Sequence, residues 1–196
     1  MFRSDDLQIE GLYAAAEGDR GVVVSHPHPQ MGGSMINNVV EAITESFFAC
    51  GYSTMRFNFR GVGRSGGCYD NGIGEQHDIL EAGKFLHEQN IKDIVLAGYS
   101  FGAWISARVL AGSGRFLPAI LVSPPVDFLP FNFAGLEGRI GLIACGDRDA
   151  FCNAGKLGKV ASETGARLEV ITGADHFFIR KERVLAECIK DYLSSP

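Results

Sequence analysis

Three short apolar runs place the strongest restriction on how this chain can fold. They read IVLAG at 94–98, AILVS at 119–123 and GLIAC at 141–145, and none of them alternates between apolar and polar residues. A strand with one face in water shows that alternation, so these runs predict strands that are buried on both faces. Such strands are typical of a parallel sheet with helices on either side.

Strand-like and helix-like segments also alternate along the rest of the chain. We predict strands at 7–15, 21–27, 52–61, 91–100, 119–125, 139–147 and 167–173, and helices at 34–51, 74–90, 101–114, 153–165 and 181–195. No linker, repeat or low-complexity segment interrupts this order. The expected fold is therefore α/β, a doubly wound and mostly parallel sheet, with residues 1–196 forming a single domain.

Charge and composition narrow the range of partners. Charged residues make up 21% of the chain, the net charge is −5, and there is no run of Lys or Arg, which disfavours nucleic acid and anionic membranes as partners. No apolar run reaches the length of a membrane span, and MFRSDDLQIEG lacks the apolar core of a secretory signal. Five irregularly spaced cysteines without a C-x-x-C pair favour free thiols. We expect a cytoplasmic protein that is a monomer or a homodimer.

The segment IVLAGYSFGAW carries the pattern G-x-S-x-G at Gly98, Ser100 and Gly102, where a buried strand meets a helix. A strand that runs directly into a helix needs a sharp turn, and the residue at its apex adopts a strained backbone conformation. The serine hydroxyl then stands at the carboxyl end of the sheet, above a helix N-terminus. We predict that Ser100 is a catalytic nucleophile. The alternative is a chance match in a chain with 25 glycines.

A serine nucleophile needs a base, and the chain offers acids and a histidine after later strands. IGLIACGDRDAF ends one strand with Asp147 and Asp149, and EVITGADHFF ends the next with His176. Consecutive parallel strands open onto one edge of a sheet, so these groups are expected to meet Ser100. We predict His176 as the general base and Asp149, in preference to Asp147, as the acid that orients it. Asp175 is expected to brace the loop, because adjacent side chains in an extended segment point apart.

The stretch VVVSHPHPQMGG, residues 22–33, contains two histidines that are each followed by proline. An oxyanion needs two N–H donors, and the residue after the nucleophile, Phe101, is expected to supply one. The second comes from a loop after an earlier strand. The prolines have no N–H, so we predict the backbone of His28 as that donor and His26 as a brace. A purely structural turn is the alternative. No third ligand lies nearby in sequence, so no metal site is predicted.

The stretch Gly61–Gly66 matches the G-x-G-x-x-G pattern of dinucleotide sites. It does not open directly into a helix, and no acidic residue closes a following strand at the expected distance, so a nucleotide cofactor is not predicted. We interpret it as a tight glycine turn at the rim of the active site.

Taken together, the motifs GYSFG, HPHPQMGGSMINNVV, RFNFRGVGRSGG and GADHFF resemble those of the α/β-hydrolase superfamily. The resemblance extends from the first strands to the last helix. It is greatest to small, lidless bacterial hydrolases related to the dienelactone hydrolases and the cofactor-free serine esterases. It implies a Ser–His–Asp hydrolase with Ser100, His176 and Asp149 as the triad and with Phe101 and His28 as oxyanion donors. Two departures stand out: Pro27 replaces the usual glycine after the first histidine, and the nucleophile is serine rather than the cysteine of dienelactone hydrolases.

The resemblance also implies a function, cleavage of a small ester or related acyl bond without a cofactor. Between the runs AILVS and GLIAC only PPVDFLPFNFAGLEGR, residues 124–139, is available, which leaves no room for a lid and predicts an open site. Phe128, Phe131 and Phe133 are candidates to line an acyl pocket, or simply to cover the sheet edge. The sequence leaves thioesterase, amidase, peptidase and perhydrolase activities open, and also a non-catalytic binding protein on the same scaffold.

Overall fold

A seven-stranded sheet runs through the centre of the protein in the computed structural model, which describes residues 1–195. In spatial order its strands are β3 (Gly11–Ala14), β5 (Ser53–Phe57), β4 (Arg20–Ser25), β6 (Asp93–Tyr99), β7 (Leu117–Val122), β8 (Ile140–Gly146) and β9 (Arg167–Ile171). The edge strand β3 pairs antiparallel with β5, and the other pairs are parallel. The predicted α/β class with a mostly parallel sheet is confirmed.

Five α-helices cover both faces of the sheet within the described residues: α1 (Asn38–Ala49), α2 (Gly74–Glu88), α3 (Phe101–Gly112), α4 (Ala154–Thr164) and α5 (Glu182–Ser194). Side chains of α1 and α5 pack on one face, and side chains of α2, α3 and α4 pack on the other. Within residues 1–195, none of these helices combines the length and the apolar character that a membrane span needs.

Strand β6 shows why the central runs contain no polar alternation. Val95, Ala97 and Tyr99 point into the cluster beneath α1 and α5, whereas Ile94 and Leu96 point into the opposite cluster. Successive side chains of a strand face opposite sides, so a strand covered on both faces needs apolar residues at every position.

The N-terminal segment differs from the prediction. Instead of one strand over residues 7–15, β2 (Leu7–Ile9) pairs antiparallel with β1 (Phe2–Ser4), and β3 joins the main sheet separately. The break falls at Glu10, whose carboxylate accepts hydrogen bonds from the side chain of Asn58 and from Arg64. The strand β1 was not predicted, because three residues carry too little periodicity and the pairing depends on the fold around them.

The connection between β7 and β8, residues 123–139, contains turns but no helix. It lies against α3, where the indole N–H of Trp104 donates to the carbonyl of Pro130 at 3.1 Å. The prediction that the fold lacks a lid is confirmed, and this short connection instead forms one side of the opening described below.

Candidate active site

Ser100 stands at the sharp turn between β6 and α3, as the pattern predicted. Its φ is 54° and its ψ is −115°, a backbone conformation that residues with side chains rarely adopt. Its N–H donates to the carbonyl of Val122 on the neighbouring strand at 2.9 Å, which fixes the turn to the sheet. The hydroxyl does not cap α3 and is directed at a histidine instead.

The two glycines around Ser100 are required by close approach of the backbone. A Cβ atom on Gly98 would overlap the carbonyl of Gly102, and a Cβ atom on Gly102 would lie 2.5 Å from the carbonyl oxygen of Ser25. Any larger side chain would therefore force β4, β6 and the start of α3 apart. The glycines let the helix begin directly against the sheet, which is what brings the serine to its edge.

His176 links the serine to an acid. Its Nε2 lies 3.0 Å from Ser100 Oγ, and its Nδ1 lies 2.9 Å from both carboxylate oxygens of Asp149. The Asp149 side chain is fully buried and the His176 side chain is 8% exposed, so water competes little for these hydrogen bonds. The structure thus brings the three predicted residues together from the ends of β6, β8 and β9.

The neighbouring acids make different contacts. Asp147 accepts a hydrogen bond from the N–H of Gly173 at 2.7 Å, which ties the loop after β8 to the loop after β9. Asp175 accepts from the N–H of Phe177 at 3.1 Å and so braces the loop that carries His176. Of the two candidates left by the sequence, Asp149 is the acid that contacts His176.

The two loop histidines have separate surroundings. His26 is fully buried, and its Nε2 accepts the N–H of Phe59 at 3.0 Å, so the proton is on Nδ1, which donates to the carbonyl of Pro27. The His28 ring packs against Phe101 with 4.9 Å between ring centroids. Among the hydrogen bonds of residues 1–195, none comes from the backbone N–H of His28 or of Phe101. Both residues line the same opening as Ser100.

Acid should destabilise the protein through His26. Burial lowers the pKa of His26 from 6.5 to about 4. The unfolded chain therefore takes up this proton first, and stability that is complete above pH 6.5 falls as the pH approaches about 4. The expected loss is about 3 kcal/mol of unfolding free energy over that range. Urea unfolding at a series of pH values measures it.

Two variants isolate this contribution. His26→Gln should be less stable at neutral pH but should lose less stability over the same acid range. The matched control is His87→Gln, which removes an exposed histidine of α2 whose ring contacts the carbonyl of Ile91. Parallel pH curves for wild type and His26→Gln would contradict the assignment.

Ser100 opens into a cavity of about 460 Å³, within the range of small-ligand sites. Apolar and aromatic side chains dominate its lining, and within residues 1–195 the lining contains no Asp, Glu, Lys or Arg. Its apolar lining side chains include Met31, Pro125, Phe128, Leu129, Phe151 and Phe177.

Only one of the three phenylalanines proposed for the pocket lies in it. Phe128 lines the cavity, and its ring packs against Phe151 at 4.9 Å. Phe131 and Phe133 instead stack on each other at 5.2 Å and pack against the core. Residues 124–139 have no regular periodicity, so their sequence does not indicate which rings line the cavity. That depends on the path of the backbone through this segment.

Phe151 and Phe177 were missed by the sequence reasoning, although each lies within two residues of a predicted triad member. Their rings pack against the His176 imidazole at 4.7 Å and 5.6 Å. Their proximity in sequence to Asp149 and His176 is the signal that could have identified them. These rings pack beside the His176 imidazole and form the adjacent wall of the cavity.

The glycine turn at 61–66 lies away from the cavity, which corrects its placement at the rim. The N–H of Gly66 donates to the carbonyl of Gln8, and Arg64 pairs with Glu10, so the turn packs against the N-terminal hairpin. Elsewhere in residues 1–195, no group of three or more His, Cys, Asp or Glu side chains is arranged to hold a metal ion.

These features define an α/β hydrolase. The sheet is mostly parallel with an antiparallel edge strand, the serine lies at a sharp strand–helix turn, and the acid and the histidine follow later strands. No protein-family model matches the chain. An uncharacterized protein of Rickettsia prowazekii is 34% identical to it over 98% of this chain and 87% of that protein.

Solved structures show the same likeness. An α/β serine hydrolase homologue from Coxiella burnetii is 33% identical, with a TM-score of 0.89 over 98% of this chain and 95% of that chain. An α/β serine hydrolase without a lid from Xanthomonas campestris is 28% identical, with a TM-score of 0.85 over 96% of this chain and 91% of that chain. The chain therefore belongs to the α/β serine hydrolases, among the members that lack a lid.

Proposed function

We propose that the protein is a serine esterase that cleaves small, uncharged esters through a covalent intermediate on Ser100. The observation that carries the proposal is the continuous hydrogen-bonded chain from Asp149 through His176 to Ser100, which ends in an apolar cavity. A serine alone is a weak nucleophile, and a base at 3.0 Å that is itself oriented by a carboxylate is the arrangement that activates it.

In the first half of the proposed reaction, Ser100 Oγ attacks the ester carbonyl carbon while His176 Nε2 takes its proton. The tetrahedral oxyanion accepts hydrogen bonds from the backbone N–H groups of Phe101 and His28. The C–O bond to the alcohol then breaks, and His176 donates the proton to the departing oxygen. The Asp149 carboxylate holds the imidazole in the tautomer that leaves Nε2 free to accept, and it stabilises the imidazolium.

In the second half, a water molecule takes the place of the alcohol. His176 removes a proton from the water as it attacks the acyl carbon, and the same two N–H groups stabilise the second oxyanion. Collapse of this intermediate returns the proton to Ser100 and releases the carboxylic acid. Each N–H donor is expected to contribute about 10²–10³-fold to kcat.

The cavity supports the choice of substrate. Its walls offer apolar area and, among residues 1–195, no Asp, Glu, Lys or Arg side chain. An acyl group that carries a carboxylate would therefore lose its hydration without gaining a cationic partner. The volume of about 460 Å³ and the absence of helices in residues 123–139 favour a short, open acyl site.

The test is hydrolysis of p-nitrophenyl esters from acetate to dodecanoate, together with a succinate half-ester of matched length. We expect turnover of the short neutral esters, a decline for the longest chains, and poor turnover of the charged ester. Phe128→Ala should shift the preferred chain length, whereas Phe48→Ala, at an exposed ring on α1, should not. If the wild type cleaves none of these esters and a fluorophosphonate does not label Ser100, the proposal is wrong.

A further inference from the structure

Two side chains outside the triad hold the backbone that carries His176. Tyr99 Oη donates to the carbonyl of His176 at 2.8 Å, and Asn38 Nδ2 donates to the next carbonyl, that of Phe177, at 3.0 Å. We propose that Tyr99 and Asn38 are positioning residues that keep the His176 imidazole in line between Ser100 and Asp149. The proposal rests on the proposed function of the triad.

Tyr99 reaches His176 because of its place in β6. It precedes the nucleophile, and the alternation of the strand directs it to the face covered by α1 and α5, where the loop after β9 passes. Its ring lies 5.5 Å from the His176 ring, and the hydroxyl is buried. Burial raises the pKa of Tyr99, so the phenol keeps its proton and remains a donor. The end of β6 therefore positions both the Ser100 hydroxyl and, through Tyr99, the backbone of His176.

Asn38 holds the same loop from the other side. It is the first residue of α1, and its amide also donates to Glu182 at the start of α5 at 2.8 Å. The amide thus joins two helices to the carbonyl next to His176. The two donors belong to different elements, β6 and α1, and together they restrain two consecutive peptide units of the loop.

The loop needs such restraint because its own conformation is unfavourable. Phe178 has a φ of 53° and Arg180 a φ of 63°, in the left-handed region that residues with side chains avoid. A strained segment persists only where its surroundings hold it. Release of the His176 carbonyl would let the loop relax, and the imidazole would move relative to Ser100. A displacement of about 1 Å at a catalytic group costs about 10²-fold in rate.

The experiment compares Tyr99→Phe, Asn38→Ala and the control Ser46→Ala. Ser46 is fully buried on α1 and donates to the carbonyls of Ala42 and Ala186, so its loss removes a comparable hydroxyl from the same helical layer, away from Ser100. Each variant is tested at a temperature at which circular dichroism shows it fully folded. The readouts are kcat and KM for p-nitrophenyl acetate, the rate of fluorophosphonate labelling, and the low-field NMR resonance of the proton between His176 Nδ1 and Asp149.

We expect Tyr99→Phe to lower kcat and the labelling rate by about 10–100-fold, with KM within about twofold, and to broaden the His176 resonance. Asn38 is partly exposed, so Asn38→Ala should fold normally. It should show the same pattern, with a smaller decrease in kcat and labelling rate of about 3–10-fold. Ser46→Ala should lower stability but leave kcat and the resonance unchanged.

Wild-type kcat and a sharp resonance in Tyr99→Phe would overturn the role of Tyr99, and the same result in Asn38→Ala would overturn that of Asn38. An equal loss of kcat in Ser46→Ala would show that the effect is general destabilisation, which also contradicts positioning. If the wild type is neither active nor labelled, the proposed function has failed instead. The NMR resonance then still reports whether the two donors hold His176 in place.

Discussion

Ser100→Ala is expected to lower kcat for a p-nitrophenyl ester by about 10⁶-fold while KM and the fold stay close to wild type. The variant removes the only atom at the turn that can form the acyl-enzyme, and the base at 3.0 Å then has no hydroxyl to deprotonate. Residual turnover would come from the oxyanion donors and from binding alone. Because alanine fits the space of serine, the backbone of the turn should be retained.

The measurement pairs steady-state kinetics with mass spectrometry after fluorophosphonate treatment. The wild type should gain one adduct on the peptide that contains Ser100, and Ser100→Ala should gain none. Ser106→Ala is the matched control, since Ser106 is a buried serine of α3, the helix that follows Ser100, and its hydroxyl contacts Ser25. Retention of most of the activity in Ser100→Ala would exclude an acyl-enzyme at this residue.

Asp149→Asn is expected to lower kcat by about 10⁴-fold with little change in KM. An asparagine of the same shape can present its amide N–H to His176 Nδ1, which would place the imidazole proton on Nε2. That nitrogen could then no longer accept the proton of Ser100. The loss is therefore chemical, and the folded structure should be largely unchanged.

Asp147→Asn provides the comparison. Asp147 accepts the N–H of Gly173 and does not contact His176, and an asparagine carbonyl can accept the same hydrogen bond. Its kcat should stay within about threefold of wild type, because only a structural contact between two loops is altered. A large loss in Asp147→Asn combined with an active Asp149→Asn would reverse the assignment of the acid.

Local sequence signals located most of the fold because each element carries its own periodicity. The observed helices α1 to α5 lie within the predicted segments, and the central strands coincide with the apolar runs. The exceptions are β1 and the break at Glu10. Both depend on pairing and on polar contacts with distant residues, which no short window of sequence contains.

The candidate site divides in the same way. The turn at Ser100 could be predicted because its sterics are local: Gly98 and Gly102 must be small for a helix to begin directly against a strand. The cavity wall could not be predicted, because Phe128 lines the cavity whereas Phe131 and Phe133 pack against the core. That difference depends on how an irregular segment packs against α3.

The sequence by itself therefore determined the layers of the fold, the order of the elements and the residue types at the strand ends, since these follow from local geometry and from burial on both faces. Only the tertiary structure decided which of Asp147 and Asp149 contacts His176, which rings surround the imidazole, and that Tyr99 and Asn38 hold the loop behind it. The physical reason is that these are distances between chain segments far apart in sequence. Such distances result from the packing of the whole sheet and its helices rather than from any local preference.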